Sequence, residues 1–152
     1  MRRVVITGLG VVSPIGIGRE NYWQALREGK NGVARITHFD AENYPVKIAA
    51  EVKDFKPDDW MDHKEARRTD RVIHFTMAAG ELAVRDGNLD VSSLERERFG
   101  VFLGSAEGGI FTSYENIKTL IEKGPNRVSP FFIPMMISNM PAAYLAIRYG
   151  AK

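Results

Sequence analysis

Residues 123–140, KGPNRVSPFFIPMMISNM, constrain the reading of everything around them. Pro125, Pro130 and Pro134 fix φ and lack an N–H, so neither an unbroken helix nor a central strand can run through the stretch. It nevertheless carries Phe131, Phe132, Met135 and Met136, with Arg127 as its single interior cation. Apolar side chains in such a segment must pack onto something, because a contiguous exposed patch is costly. Two readings fit the spacing: a loop anchored to the core, or a segment whose Phe and Met side chains line an apolar pocket or a subunit interface.

Upstream of it, Thr112 and Glu115 have capping-box spacing for a helix carrying Ile117, Leu120 and Ile121, stopped by Gly124-Pro125. Before that helix, 99–103 (FGVFL) predicts a buried strand that runs into the glycine-rich turn 104–109 (GSAEGG). Such a turn lets backbone approach whatever binds there. Downstream, Ser138 or Asn139 can cap a last helix with Pro141 in its first turn and Gly150 at its end.

Further out, Asp62 and Glu65 predict the start of one long helix over 64–85, with a largely apolar interior. Lys64, Arg67, Arg68 and Arg71 fall at i, i+3, i+4 and i+7 on it, which puts four cations on one face. Cations at a helix N-terminus oppose its macrodipole, so helix stability does not explain them. They form either a solvated face, softened by Glu65 and Asp70, or a docking patch for an acidic partner. Val46, Ile48, Ala50 and Val52 alternate with Lys47, Ala49, Glu51 and Lys53, as in a half-exposed strand. A short helix over 19–28 groups Tyr22, Trp23 and Leu26, with Trp23 as a core anchor and Gly29 as the stop.

Val4 to Ile6 predict a buried strand ending at Gly8 and Gly10. The G-L-G invites a dinucleotide-fold reading, but Ser13 occupies the third glycine position and Pro14 the start of the expected helix. Glu28, at the distance of a ribose-binding acid, lies within a helical stretch. Strands alternating with helices indicate an α/β class.

A chain of 152 residues with 44% hydrophobic and 26% charged residues suits one globular domain. The net charge of +2 is too small to argue for nucleic acid or an anionic membrane. There is no cysteine, so disulfides and thiol chemistry are excluded within these residues. His38, His63 and His74 lack metal-ligand spacing, and no metal is expected. The opening from Arg2-Arg3 superficially resembles a secretion signal, but Thr7, Ser13, Pro14 and four glycines break it. No apolar run reaches the roughly 18 residues of a membrane span, and a cytoplasmic protein is expected.

RRVVITGLGVVSPIG, HFDAENYPVKIAAEVKDF, DHKEARRTDR, GVFLGSAEGG and GPNRVSPFFIPMMISNM occur in that order across essentially the whole chain. Together they resemble the amino-terminal part of the β-ketoacyl-acyl-carrier-protein synthases, nearest the type II elongating branch. The resemblance implies a thiolase-like α/β fold of two related βαβαβαββ halves stacked in five layers, working as a homodimer. Residues 1–152 would form the N-terminal domain, most of the first half with part of its capping insertions.

The resemblance implies a decarboxylative condensation for fatty-acid elongation. A cysteine takes an acyl group from acyl carrier protein, malonyl carrier protein is decarboxylated, and the carbanion attacks the thioester, with histidines, a lysine and an oxyanion hole assisting. No separate cofactor is implied, because phosphopantetheine arrives on the carrier protein as part of the substrate. The family's cysteine follows the segment matching Tyr149 to Lys152, and its histidines belong to the second half. The catalytic cysteine and histidines are therefore expected beyond Lys152. No catalytic residue is expected within 1–152, and the chain by itself is expected to be inactive.

By the same resemblance, Lys64, Arg67 and Arg68 match carrier-docking positions, and Arg127 a basic position supplied by the partner subunit. Phe132 matches a residue reaching into the partner's acyl pocket, and Glu107 occupies the normally apolar gate position. An ionised carboxylate there is costly to bury, so Glu107 is expected to turn outward or to alter chain-length preference. The alternatives are a non-catalytic partner subunit, as in chain-length factors, and a carrier-binding fragment. A half-fold alone would expose sheet and dimer surfaces, so poor solubility or partial folding is expected of the isolated chain.

Overall fold

In the computed structural model, which describes residues 3–152, the core forms around one helix. Arg2 of the signal-like opening lies outside the described residues. Two short antiparallel hairpins open the fold: β1 (Val12–Ser13) with β2 (Gly16–Ile17), and β3 (Val33–Arg35) with β4 (Ile48–Ala50). Helix α1 (Arg19–Arg27) lies between them. Then follow α2 (His63–Ala66), α3 (Arg71–Asp86), α4 (Ile110–Lys123), α5 (Phe132–Met136) and α6 (Met140–Tyr149).

Ile73, Met77 and Ala78 of α3 are fully enclosed, and Met61 and Ala66 complete the buried cluster with help from Val72, Met140, Tyr144 and Leu145. Helix α6 therefore packs on α3. Its register is held where Arg148 Nη1 donates to the Trp60 carbonyl (2.7 Å) and Tyr149 Oη donates to Glu81 (2.9 Å). Asn139 stands at the N-cap of α6 without a side-chain bond, Pro141 sits in the first turn, and Gly150 closes the helix in the left-handed region at φ 66°.

The expected helix over 64–85 is two helices. Thr69 and Asp70 interrupt it, and Asp70 adopts extended backbone with its carboxylate on the Val72 amide, so that α3 starts afresh at Arg71. A well-placed N-cap outweighs a continuous apolar pattern here. The strand expected at 46–52 shortens to β4 and inverts its phase: Ala49 is half-buried, while Ile48 and Ala50 are exposed. The inversion follows from pairing with β3, where Ala34 lies opposite Ala49 and the two small side chains face inward together.

The strands expected at 4–6 and 99–103 form no ladder among the described residues. Val4 is 95% exposed and Phe102 is 99% exposed. β-branched composition favours a strand only where a neighbour accepts its hydrogen bonds and covers its face, and no described segment does so. Trp23 is likewise no core anchor, being 60% exposed, and Ala25 is the buried residue of α1. The glycines of the G-L-G pattern serve close packing. A Cβ on Gly8 or Gly10 would collide with the backbone of α3 at Ala79 and Ala83 and of its C-cap Gly87, and between them Leu9 N donates to Asp86 (2.9 Å).

Candidate functional site

A turn, a glycine loop and a short helix meet at the N-terminal end of α4. The turn is the break between α2 and α3. Asp62 caps α2 through the Lys64 amide (2.8 Å), and Thr69 Oγ1 donates back to the Glu65 carbonyl (2.8 Å). His74 Nε2 donates to the Ala66 carbonyl (3.0 Å) and lies 3.1 Å from Thr69 Oγ1. Burial lowers the His74 pKa, in keeping with a neutral structural imidazole.

This scaffold points Lys64, Arg67 and Arg68 into solvent. The two acids expected to soften them do otherwise. Glu65 is half-buried 4.0 Å from Arg148, and Asp70 is buried as a cap. Arg67 also follows the C-terminal end of α2, where a cation complements the helix ends instead of opposing them. The fourth cation leaves the patch. Arg71 turns inward, donates to the Val52 carbonyl (2.7 Å) and lies over the Phe75 ring at 4.7 Å.

Asp70 links the turn to the glycine loop. One oxygen accepts from Val72 N (3.1 Å), and the other accepts from Thr112 N (3.0 Å) and Thr112 Oγ1 (2.5 Å). One buried carboxylate thus satisfies orphan amides at the N-termini of both α3 and α4. The capping-box spacing puts Thr112 at the N-cap of its own helix, but Gly109 holds that position and Thr112 supplies a donor to Asp70.

The loop preceding α4 is pressed against α5. Gly109 N donates to the Met136 carbonyl (2.8 Å), and Gly108 has φ 68° with the Met136 carbonyl where a Cβ would stand. Glu107, one residue earlier, is exposed. On α5, Phe132 is half-buried at the first position and Phe131 precedes it at the N-cap, 41% exposed. The Arg68 guanidinium sits over the Phe131 ring, 5.1 Å from its centroid.

The structure therefore brings Arg68 together with the segment that bears Phe132, and joins both to the loop that bears Glu107. Arg127 stands apart in a 3-10 turn past the C-terminal end of α4, whereas the 67–70 turn is bonded to the N-terminal end. Lys152, the residue beyond which the catalytic groups are expected, takes no part in this constellation. Its amide donates to the Arg96 carbonyl (3.2 Å) and its Nζ to Glu97 (3.0 Å), so it ties the end of α6 to the 96–98 turn as an exposed surface pair. Neither the Arg68–Phe131 contact nor the shared Asp70 cap shows in linear spacing. Only the Asp70 cap left a local trace, an aspartate directly before the apolar run of α3.

This backbone superposes on a solved structure, the ishigamide ketosynthase/chain length factor, with a TM-score of 0.89 and 30% identity over 99% of this chain and 38% of that one. The fold is thus the α/β, thiolase-like fold of the ketosynthases, although the two hairpins are its only ladders among the described residues. Residues 1–152 match the description "Beta-ketoacyl synthase, N-terminal domain", and the chain belongs to that family. It is 44% identical over 151 residues to 3-oxoacyl-[acyl-carrier-protein] synthase 2 of Synechocystis and 46% identical over 151 residues to the protein of that name from Coxiella burnetii. In both cases 99% of this chain is covered but 36% of the relative, so the chain spans about a third of their length. No helix among the described residues is long and apolar enough to cross a membrane.

Proposed function

We propose that this chain is the amino-terminal part of a cytoplasmic 3-oxoacyl-acyl-carrier-protein synthase that extends acyl thioesters by decarboxylative condensation with malonyl carrier protein. The observation that carries the reading is 44% identity, kept over 99% of the chain, to a synthase of that name. These residues contain no cysteine, so the nucleophile belongs to the remainder of the protein, beyond Lys152. The part played by 1–152 is to receive the carrier and to help shape the acyl pocket. Lys64, Arg67 and Arg68 form the docking face, Arg127 adds a cation from the partner subunit of a homodimer, and Phe132 and Glu107 border the acyl chain. The thioester enters on the carrier's phosphopantetheine arm.

The full-length protein, given acyl and malonyl carrier proteins, is expected to release carbon dioxide and form the 3-oxoacyl product, read by mass spectrometry of the carrier. Absence of both would overturn the reading. The likeness to a ketosynthase/chain length factor favours a second one, a non-catalytic subunit of the same fold, which would yield product only alongside an active partner. The docking face has its own check. Changing Lys64, Arg67 and Arg68 together to Glu is expected to slow carrier association at least roughly tenfold at low salt, with the difference shrinking as salt rises. An unchanged rate at low salt would remove these residues from docking.

A further inference from the structure

We propose that Phe131 is a positioning residue for Arg68, holding its guanidinium ready for a carboxylate of an acidic partner surface. The proposal rests on the docking reading above and goes beyond it by naming what orders the docking cation. A free arginine samples many rotamers and loses that freedom when it pairs, which costs conformational entropy. An aromatic ring beneath the guanidinium removes part of that cost in advance, because stacking occupies the face of the group and leaves the N–H edge open for a bidentate acceptor.

The backbone on both sides of the contact is anchored. Arg68 lies between Ala66, which is buried, and Asp70, whose carboxylate is held by Val72 and Thr112. Phe131 opens α5, whose last carbonyl accepts from Gly109 N, and Phe131 N itself donates to Ser129 Oγ (3.2 Å). Among the described residues the Arg68 side chain has no carboxylate or carbonyl partner, so its N–H groups are unclaimed. Lys64 and Arg67 lie over no aromatic ring among the described residues. Arg68 is therefore the one of the three that rests on an aromatic ring.

The test is a double-mutant cycle in the full-length protein, reading carrier-protein affinity and the KM and kcat for carrier-borne substrate. Phe131→Leu keeps apolar bulk without a ring face and is expected to weaken affinity roughly two- to fivefold. The loss should fall on KM, with kcat and the rate on a carrier-free acyl thioester unchanged. Phe131→Tyr should restore affinity. In an Arg68→Gln background, Phe131→Leu should have no further effect. An equal loss in that background would show that Phe131 acts through packing alone and overturn the proposal, while the docking reading would still stand on the loss caused by Arg68→Gln. If Arg68→Gln itself changes nothing, Arg68 takes no part in docking and this inference fails, while the docking reading is decided by the triple Glu variant. Thermal unfolding of each variant separates a folding defect from either result.

Discussion

Glu51 and Asp70 show how far single carboxylates set the local geometry of this chain. Glu51 is buried beside β4 and accepts from Thr37 Oγ1 (2.7 Å), Thr37 N (3.0 Å) and His38 N (3.2 Å). The Thr37 hydroxyl, then the two amides, favour the ionised form and hold its pKa down at about 2, against an ordinary 4.5. A depressed folded pKa means the stabilisation is fully present above 4.5 and is lost as pH falls from there toward 2. Urea midpoints of the full-length protein and of Glu51→Gln should therefore differ near neutral pH and converge through that window. A gap that does not change with pH would contradict this account. Asp70 is the stronger case structurally, because one oxygen serves each of two helices. Asp70→Asn leaves one acceptor for three donors and is expected to cost about 1–3 kcal/mol of unfolding free energy. Thr112→Val, which keeps the shape and removes one donor, should cost about 1 kcal/mol. The two should be non-additive if they share one bond network, and strict additivity would separate them.

At the scale of elements, the glycine loop and α5 behave as one unit. Gly108 takes a left-handed φ and has no room for a side chain, so Gly108→Ala combines backbone strain of about 1–3 kcal/mol with a collision against the Met136 carbonyl. The expected consequence is local. The Gly109 amide, which donates to Met136, should lose hydrogen-exchange protection in that variant while amides of α3 keep theirs. Unaltered protection at Gly109 would mean that α5 moves freely with the loop. The helices around this unit were largely legible in the sequence, because caps and stops are short-range chemistry. Gly29, Gly124 and Gly150 end their helices where the pattern places them. The 67–70 break was not legible, since an apolar period running through Val72 and Ile73 hides a restart that depends on Asp70 meeting Thr112, a contact 42 residues away. The strands failed for the same reason in reverse. A strand is half of a pairing, and neither Val4 to Ile6 nor 99–103 finds its other half among the described residues. Of the residues proposed for docking, Lys64, Arg67 and Arg68 stood out as a charge pattern. The departure of Arg71 to the Val52 carbonyl and the seat of Arg68 on Phe131 needed the folded chain.

At the scale of the whole molecule, the apolar surface of 1–152 is out of proportion to its core. Ala25, Ala41, Ala66 and Ala78 make up much of the buried hydrophobic set, leaving Ile73, Met61 and Met77 as its large members, while Val4, Ile6, Phe102, Phe111, Tyr114 and Ile147 stand in solvent. Along α4, Ile110, Ile117 and Ile121 are all exposed, Ile121 at 78%, so that helix turns an unpaired apolar side outward. Monomeric soluble proteins rarely carry contiguous patches of this kind, and the segments 4–6 and 99–103 add backbone groups with no ladder partner. The 152-residue polypeptide on its own is therefore expected to self-associate, to bind an apolar dye such as anilinonaphthalene sulfonate strongly, and to unfold over a broad range of denaturant. In the full-length protein the dye signal should be small and the amides of 4–6 and 99–103 protected from exchange, because a strand pairing and an apolar face are then completed. A monomeric, dye-silent 152-residue polypeptide with one sharp unfolding transition would show instead that these surfaces are stable in water and that the core around Ile73 and Met77 suffices.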